Sequence, residues 1–133
     1  MKVNDDLLIL LKSAGIGDVE PDLGAKLMSS FFNALFETGT LPAKIICMGT
    51  GIFLTTEGST VKGILDAFVE NGTEILSCST CLEYYGKTDR LIIGNPTNMK
   101  DTVNAKLILK EVIKRFPKSD QATRARKKLK EIT

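Results

Sequence analysis

Residues 41–78 read "LPAKIICMGTGIFLTTEGSTVKGILDAFVENGTEILSC", and this stretch decides the fold. "AKIICMG" (43–49) is a continuous apolar run of strand length, the pattern of a strand covered on both faces of a parallel sheet. "TGIFLTTEGS" reads as loop with a short extended stretch. Ser59 has the side chain of an N-cap. Beyond it Val61, Ile64, Leu65, Phe68 and Val69 recur at helical spacing, and Asn71-Gly72 stops the helix. "TEILSC" (73–78) is a second apolar run of strand length. Strand, helix and strand in succession form a crossover unit, and a crossover of this length joins parallel strands.

The same alternation extends in both directions. "DLLILLKS" (6–13) reads as a further strand buried on both faces, followed by the Gly- and acid-rich loop "AGIGDVEPD". A helix is expected from about Asp22 to Thr38. Leu23, Leu27, Phe31 and Leu35 fall at i, i+4, i+8 and i+12; Met28, Phe32 and Phe36 widen that stripe, and Gly39 ends it. Downstream, "RLIIG" (90–94) is the expected fourth strand. Asn98 or Thr97 caps a last long helix reaching about Lys114, Phe116-Pro117 breaks it, and Ser119 opens a final basic helix. The expected fold is therefore α/β: three layers, with a mainly parallel sheet of four to five strands flanked by helices and an added basic C-terminal helix. Residues 1–114 form the α/β domain and 115–133 the basic helical extension. In such sheets chemistry gathers at the carboxyl ends of the strands, so the loops Ala14–Asp22, Gly49–Ser59 and Cys78–Lys87 are expected to meet on one edge.

The chain has 133 residues, enough for one domain with a real core. Its charge is uneven. Residues 1–113 carry 10 Lys and Arg against 14 Asp and Glu, whereas residues 114–133 carry 8 against 2. The basic segment has Arg124, Arg126, Lys127, Lys128 and Lys130 spread around a helix rather than along one stripe. It reads as a solvated helix or as a docking surface for an acidic partner. The lack of interleaved aromatic residues argues against a nucleic-acid partner. No apolar run reaches the roughly 18 residues of a membrane span, and the acidic flanks of the first apolar run do not suit a signal peptide. The expected setting is the cytoplasm, with no membrane partner, where cysteines stay mostly reduced. "AGIG" and "GTG" are not phosphate-binding fingerprints, so no nucleotide cofactor is expected.

The chain has no histidine, which removes every Cys-His and Ser-His catalytic arrangement. Of the three cysteines, Cys47 sits inside "KIICMG" and reads as a small buried hydrophobe. Cys78 and Cys81 leave a strand together in "SCSTC" (77–81). Four readings stand open for them: inert packing, metal ligation, thiol–disulfide exchange, or a nucleophilic carrier thiolate. A structural zinc site requires four ligands, and a second C-x-x-C is missing. A thioredoxin-like fold places its pair earlier in the chain. A carrier thiolate requires a lowered pKa and access, supplied here by turn amides or by a cation such as Lys87. A second thiol three residues on can resolve what the first one holds. Tyr84 and Tyr85 follow the pair and are candidates to border the site.

"CMGTGIFLTTEGSTVKGILDAFVENGTEILSCSTCLEYYG" followed by "GNPTNM" resembles the DsrE/DsrF-like family, in particular the C-terminal domain of its YedF-type, sulfurtransferase-like members linked to selenium metabolism. The resemblance spans about residues 6–112 and is strongest over 45–100. It implies a compact α/β fold, assembly as a homo-oligomer (trimer or hexamer), and sulfur-relay chemistry without a resident cofactor or metal. Cys78 falls at the position of the family's carrier cysteine, and Cys81 is the second, resolving cysteine of the YedF-type pair. Thr55, Thr56, Glu57 and Gly58 match the loop after the second strand, with Ser59 closing it. Tyr84 and Lys87 flank the pair, and Asn98 matches the residue that opens the last helix. The implied partner is a sulfur donor or acceptor protein such as a TusA-like protein. The alternative is an oligomeric redox-sensing or regulatory binding module without transferase activity.

Overall fold

The computed structural model describes residues 2–104. Within them the elements run β1 (Lys2–Leu11), α1 (Pro21–Glu37), β2 (Thr40–Cys47), α2 (Lys62–Glu70), β3 (Glu74–Cys78), α3 (Ser79–Tyr84), β4 (Asn95–Thr97) and α4 (Met99–Asn104), with short 3₁₀ turns at Gly49–Leu54 and Thr88–Arg90. The four strands form one sheet in the order β1-β2-β3-β4, every neighbouring pair parallel. The expected parallel α/β sheet flanked by helices is thus what the chain forms. The long last helix beyond residue 104, the Phe116-Pro117 break and the basic helix of residues 115–133 lie outside the described residues.

The core lies between the sheet and the pair α1 and α2. Leu41, Ile45 and Cys47 of β2, Ile75 of β3 and Leu11 of β1 meet Met28 and Phe32 of α1 and Leu65 and Phe68 of α2. Phe68 receives Phe32 and Phe36 edge-on, with ring centroids 5.9 and 5.5 Å away. Burying either of the fully enclosed rings Phe32 and Phe68 stabilises the fold by about 1.5–3 kcal/mol.

Four expectations change. First, β1 starts at Lys2 rather than Asp6, with a register break between Asn4 and Leu8. It is an edge strand, so Leu7 to Leu10 are half-buried rather than covered on both faces. Second, α1 presents Gly24, Met28 and Phe32 to the core, whereas Leu23, Leu27 and Phe31 remain 43%, 40% and 37% exposed. Apolar residues at adjacent positions make two stripes about 100° apart, and packing selects the second. Third, Ser59 does not start α2. Its hydroxyl donates to the Leu54 carbonyl at 2.6 Å and accepts from the Val61 N–H at 3.2 Å, closing the loop that precedes the helix.

Fourth, residues 90–94 are not the fourth strand. Leu91 forms an isolated antiparallel bridge with Thr56, the Ile92 and Ile93 N–H groups both donate to the Thr55 carbonyl, and Ile93 plugs the core. Gly94 then turns the chain at φ 70°, so close over the sheet that a Cβ would sit 2.1 Å from the Ile75 oxygen. Only afterwards do Asn95–Thr97 pair with β3. Pro96 cannot donate to a ladder, and the sheet edge tolerates it.

Candidate functional site

β3 ends at Cys78, and the chain passes directly into α3, whose third residue is Cys81. This is the carboxyl edge of the sheet, and the three loops expected there do converge. Beyond β2, the Met48 N–H bonds to the Leu11 carbonyl at 2.9 Å, pinning the next turn to the end of β1. Gly49 follows with φ 56°; a Cβ there would lie 2.8 Å from the Lys12 oxygen, so glycine is required by both conformation and space. Thr50 accepts from the Ala14 N–H at 3.2 Å, tying in the first loop. The Gly49 N–H is thereby aimed at the thiols and donates to the Cys81 Sγ at 3.1 Å.

The two thiols of the pair lie close enough to influence each other's charge. Cys78, the last residue of β3, is 5% exposed, while Cys81 on α3 is only half-buried. Burial is the largest influence on Cys81 and raises its pKa above the usual thiol value. The neighbouring Cys78 thiol adds to the rise, and the Gly49 N–H opposes it. Cys47 is different. It is fully enclosed in the core, burial pushes its pKa to about 12, and it is chemically silent at neutral pH.

The other expected site residues divide into two groups. Tyr84 and Tyr85 follow Cys81 at the end of α3, and Lys87 lies just past that helix against Phe53. Tyr84 and Tyr85 are three and four residues after Cys81 and share its helix face. The Tyr85 ring stands edge-on to Tyr84 at 5.0 Å and to Phe53 at 4.9 Å, and the Lys87 ammonium sits 5.9 Å from the Phe53 ring centre. Thr55, Thr56, Glu57, Gly58 and Ser59 instead build the second wall of the loop. Thr55 is completely buried and shares a 2.7 Å hydrogen bond with Ser77, the residue before Cys78. The Thr56 hydroxyl donates to the Ile52 carbonyl, Glu57 pairs with Arg90 at 2.9 Å, and Gly58 turns at φ 94°. Asn98 accepts from the Asp101 N–H at 2.8 Å and so caps α4. Ser79 links the thiol turn to β4 by donating to the Thr97 carbonyl at 2.8 Å.

Sequence reasoning missed the Gly49 N–H as a partner of Cys81 and Phe53 as the ring that Tyr85 and Lys87 pack against. The "GTG" directly after a strand was the available signal for the first. Among the described residues, no group of three or more His, Cys, Asp or Glu could hold a metal ion, and no helix is long and apolar enough to cross a membrane. An open hollow of about 490 Å³, lined by residues including Lys2, Asp5 and Thr40, lies at the opposite end of the strands.

A four-stranded parallel α/β sheet with a vicinal dithiol at its carboxyl edge defines the class of this chain. A solved structure of similar fold is MTH1491 from Methanobacterium thermoautotrophicum, a protein of unknown function; it aligns with a TM-score of 0.51 at 14% identity over 72% of this chain and 80% of that one. No family model and no curated protein matches the sequence.

Proposed function

We propose that this chain is a DsrE-like, YedF-type sulfur-handling protein that holds sulfane sulfur as a persulfide on the Cys78–Cys81 pair. The observation that carries this reading is the closeness of the two thiols at the carboxyl edge of β3, with a backbone N–H supplied to one of them by the neighbouring loop. A thiolate of the pair attacks the sulfane sulfur of a donor persulfide. The donor's S–S bond breaks, and its thiolate leaves with the bonding electrons. The second thiol then has two courses. It stays protonated while the persulfide passes to an acceptor thiolate, or it attacks the persulfide-bearing sulfur. In the latter case a Cys78–Cys81 disulfide forms, and the outer sulfur departs as hydrosulfide with the attacking thiol's proton. The fold supplies the location, since parallel α/β sheets concentrate chemistry at this edge.

The natural partners are a cytoplasmic protein donor or acceptor of sulfur, of the TusA-like kind, and further copies of the chain. Selenium, bound by the same thiol chemistry, is a second cargo. Incubating the full chain with a cysteine desulfurase and cysteine, followed by mass spectrometry, tests the reading. The expected result is one added sulfur in the wild type, or a Cys78–Cys81 disulfide with sulfide released, and neither in the Cys78→Ala/Cys81→Ala double variant. A reversible disulfide with neither sulfur uptake nor sulfide release would instead make the chain a redox-sensing binding module.

A further inference from the structure

The two cysteines are not equivalent, and their differences bear on the order of events. Cys78 ends a central strand. Its neighbour Ser77 pairs with β2, its own backbone pairs with Thr97 of β4, and only 5% of its surface is open. Cys81 lies one turn along α3, half-buried, on the helix face that also carries Tyr84 and Tyr85. Tyr84 is 81% exposed, so this face of α3 opens to solvent. A persulfide donor has to bring its sulfur into line with the attacking thiolate, which requires room on the far side of the acceptor sulfur. That room exists at Cys81. The Gly49 N–H, 3.1 Å from its Sγ, is in addition a fixed donor to a negative charge formed there.

We infer that Cys81 is the receiving thiol, and that Cys78, behind it, is the resolving thiol. This rests on the sulfur-handling reading and reverses the order that the family resemblance implies. In the first step the Cys81 thiolate attacks a sulfane sulfur of the donor. The donor's S–S bond breaks and the shortened donor leaves as its thiolate, or as the shorter hydropolysulfide if the donor is inorganic polysulfide. In the second step the Cys78 thiol gives up its proton and attacks Cys81 Sγ. The Sγ–sulfane bond breaks, and hydrosulfide leaves carrying that proton. The two thiols are oxidised to a disulfide and the sulfane sulfur is reduced to sulfide. An external dithiol restores the pair.

The test uses the full chain, sodium tetrasulfide as donor, and peptide mapping by mass spectrometry. Cys78→Ala is expected to trap the mass of one sulfur atom on Cys81 and to release no sulfide. Cys81→Ala is expected to load slower by roughly tenfold or more, because it removes the exposed thiol and leaves only the one closed into the sheet. A measurement without any substitution accompanies it: brief iodoacetamide labelling of the wild type is expected to mark Cys81 before Cys78. Loading of Cys81→Ala at close to the wild-type rate, or labelling that marks Cys78 first, overturns this assignment and leaves the sulfur-handling reading in place. A wild-type chain that neither takes up sulfur nor releases sulfide with formation of its disulfide overturns the sulfur-handling reading itself, and this assignment with it.

Discussion

Replacing Gly49 with alanine perturbs the site through a residue that is not itself reactive. Gly49 has φ 56°, where an L side chain costs about 1–2 kcal/mol. The new Cβ would also meet the Lys12 oxygen at 2.8 Å, so the turn must move, at a further cost of about 1–3 kcal/mol. Against a typical stability of roughly 5–15 kcal/mol, the variant is expected to fold with a clearly lowered urea midpoint. The displaced turn takes its N–H away from Cys81 Sγ. That hydrogen bond lowers the Cys81 pKa, so its loss raises it further. A net bond energy of about 0.5–1.5 kcal/mol corresponds to a thiolate fraction roughly two- to tenfold smaller at neutral pH. The assay is the rate of Cys81 alkylation by iodoacetamide, followed by peptide mapping in buffer where circular dichroism shows the variant folded. A folded Gly49→Ala chain whose Cys81 reacts as fast as wild type, or faster, refutes the role given to this amide.

Further outcomes follow from the packing. Cys47 titrates near 12 when folded but at its ordinary 9.0 when unfolded, so the folded state holds its proton more tightly. That contribution is fully present below pH 9 and is lost as pH rises towards 12, at about 1.4 kcal/mol per pH unit. Urea melts of wild type and Cys47→Ala at pH 8, 9 and 10 should show the shallower decline in the variant. On α1, Met28→Ala should cost about 2–5 kcal/mol while Leu27→Ser stays within about 0.5 kcal/mol in monomeric chains, by the same melts. Similar costs at the two positions would contradict the observed helix face. Gly94→Ala places a Cβ 2.1 Å from the Ile75 oxygen at a φ of 70° and should yield insoluble or unfolded protein; a normal melting curve would contradict the turn into β4.

The crossover unit around "AKIICMG" and "TEILSC" was legible because its two apolar runs and the intervening helical period have few alternative readings. The convergence of three loops on one edge followed from that topology, and the Asn98 cap from its residue type. The fourth strand was not legible. In "RLIIGNPT" the apolar residues serve as a core plug and a bridge to the Thr55–Thr56 loop, whereas the pairing segment is the polar Asn95–Thr97 at an edge. Local composition favours the wrong half of that segment, since edge pairing depends on backbone position rather than side-chain polarity. On α1, period alone could not choose between the stripe through Leu23, Leu27 and Phe31 and its neighbour through Gly24, Met28 and Phe32. The contact from Phe68 decides it. The thiol spacing pointed to the pair as a unit. The unequal exposure of Cys78 and Cys81 depends on strand pairing to Thr97 and on the turn at Gly49, which a linear spacing does not encode.

Cyanide releases sulfane sulfur from a persulfide as thiocyanate, and this reaction tests the central claim most directly. After incubation with desulfurase and cysteine in the absence of added reductant, followed by desalting, the wild-type chain should either give thiocyanate on cyanolysis or have released sulfide with its two thiols joined as a disulfide, and the Cys78→Ala/Cys81→Ala chain should do neither. Equal yields from the two chains, or no thiocyanate from wild type with both thiols still free to alkylate, would contradict the account.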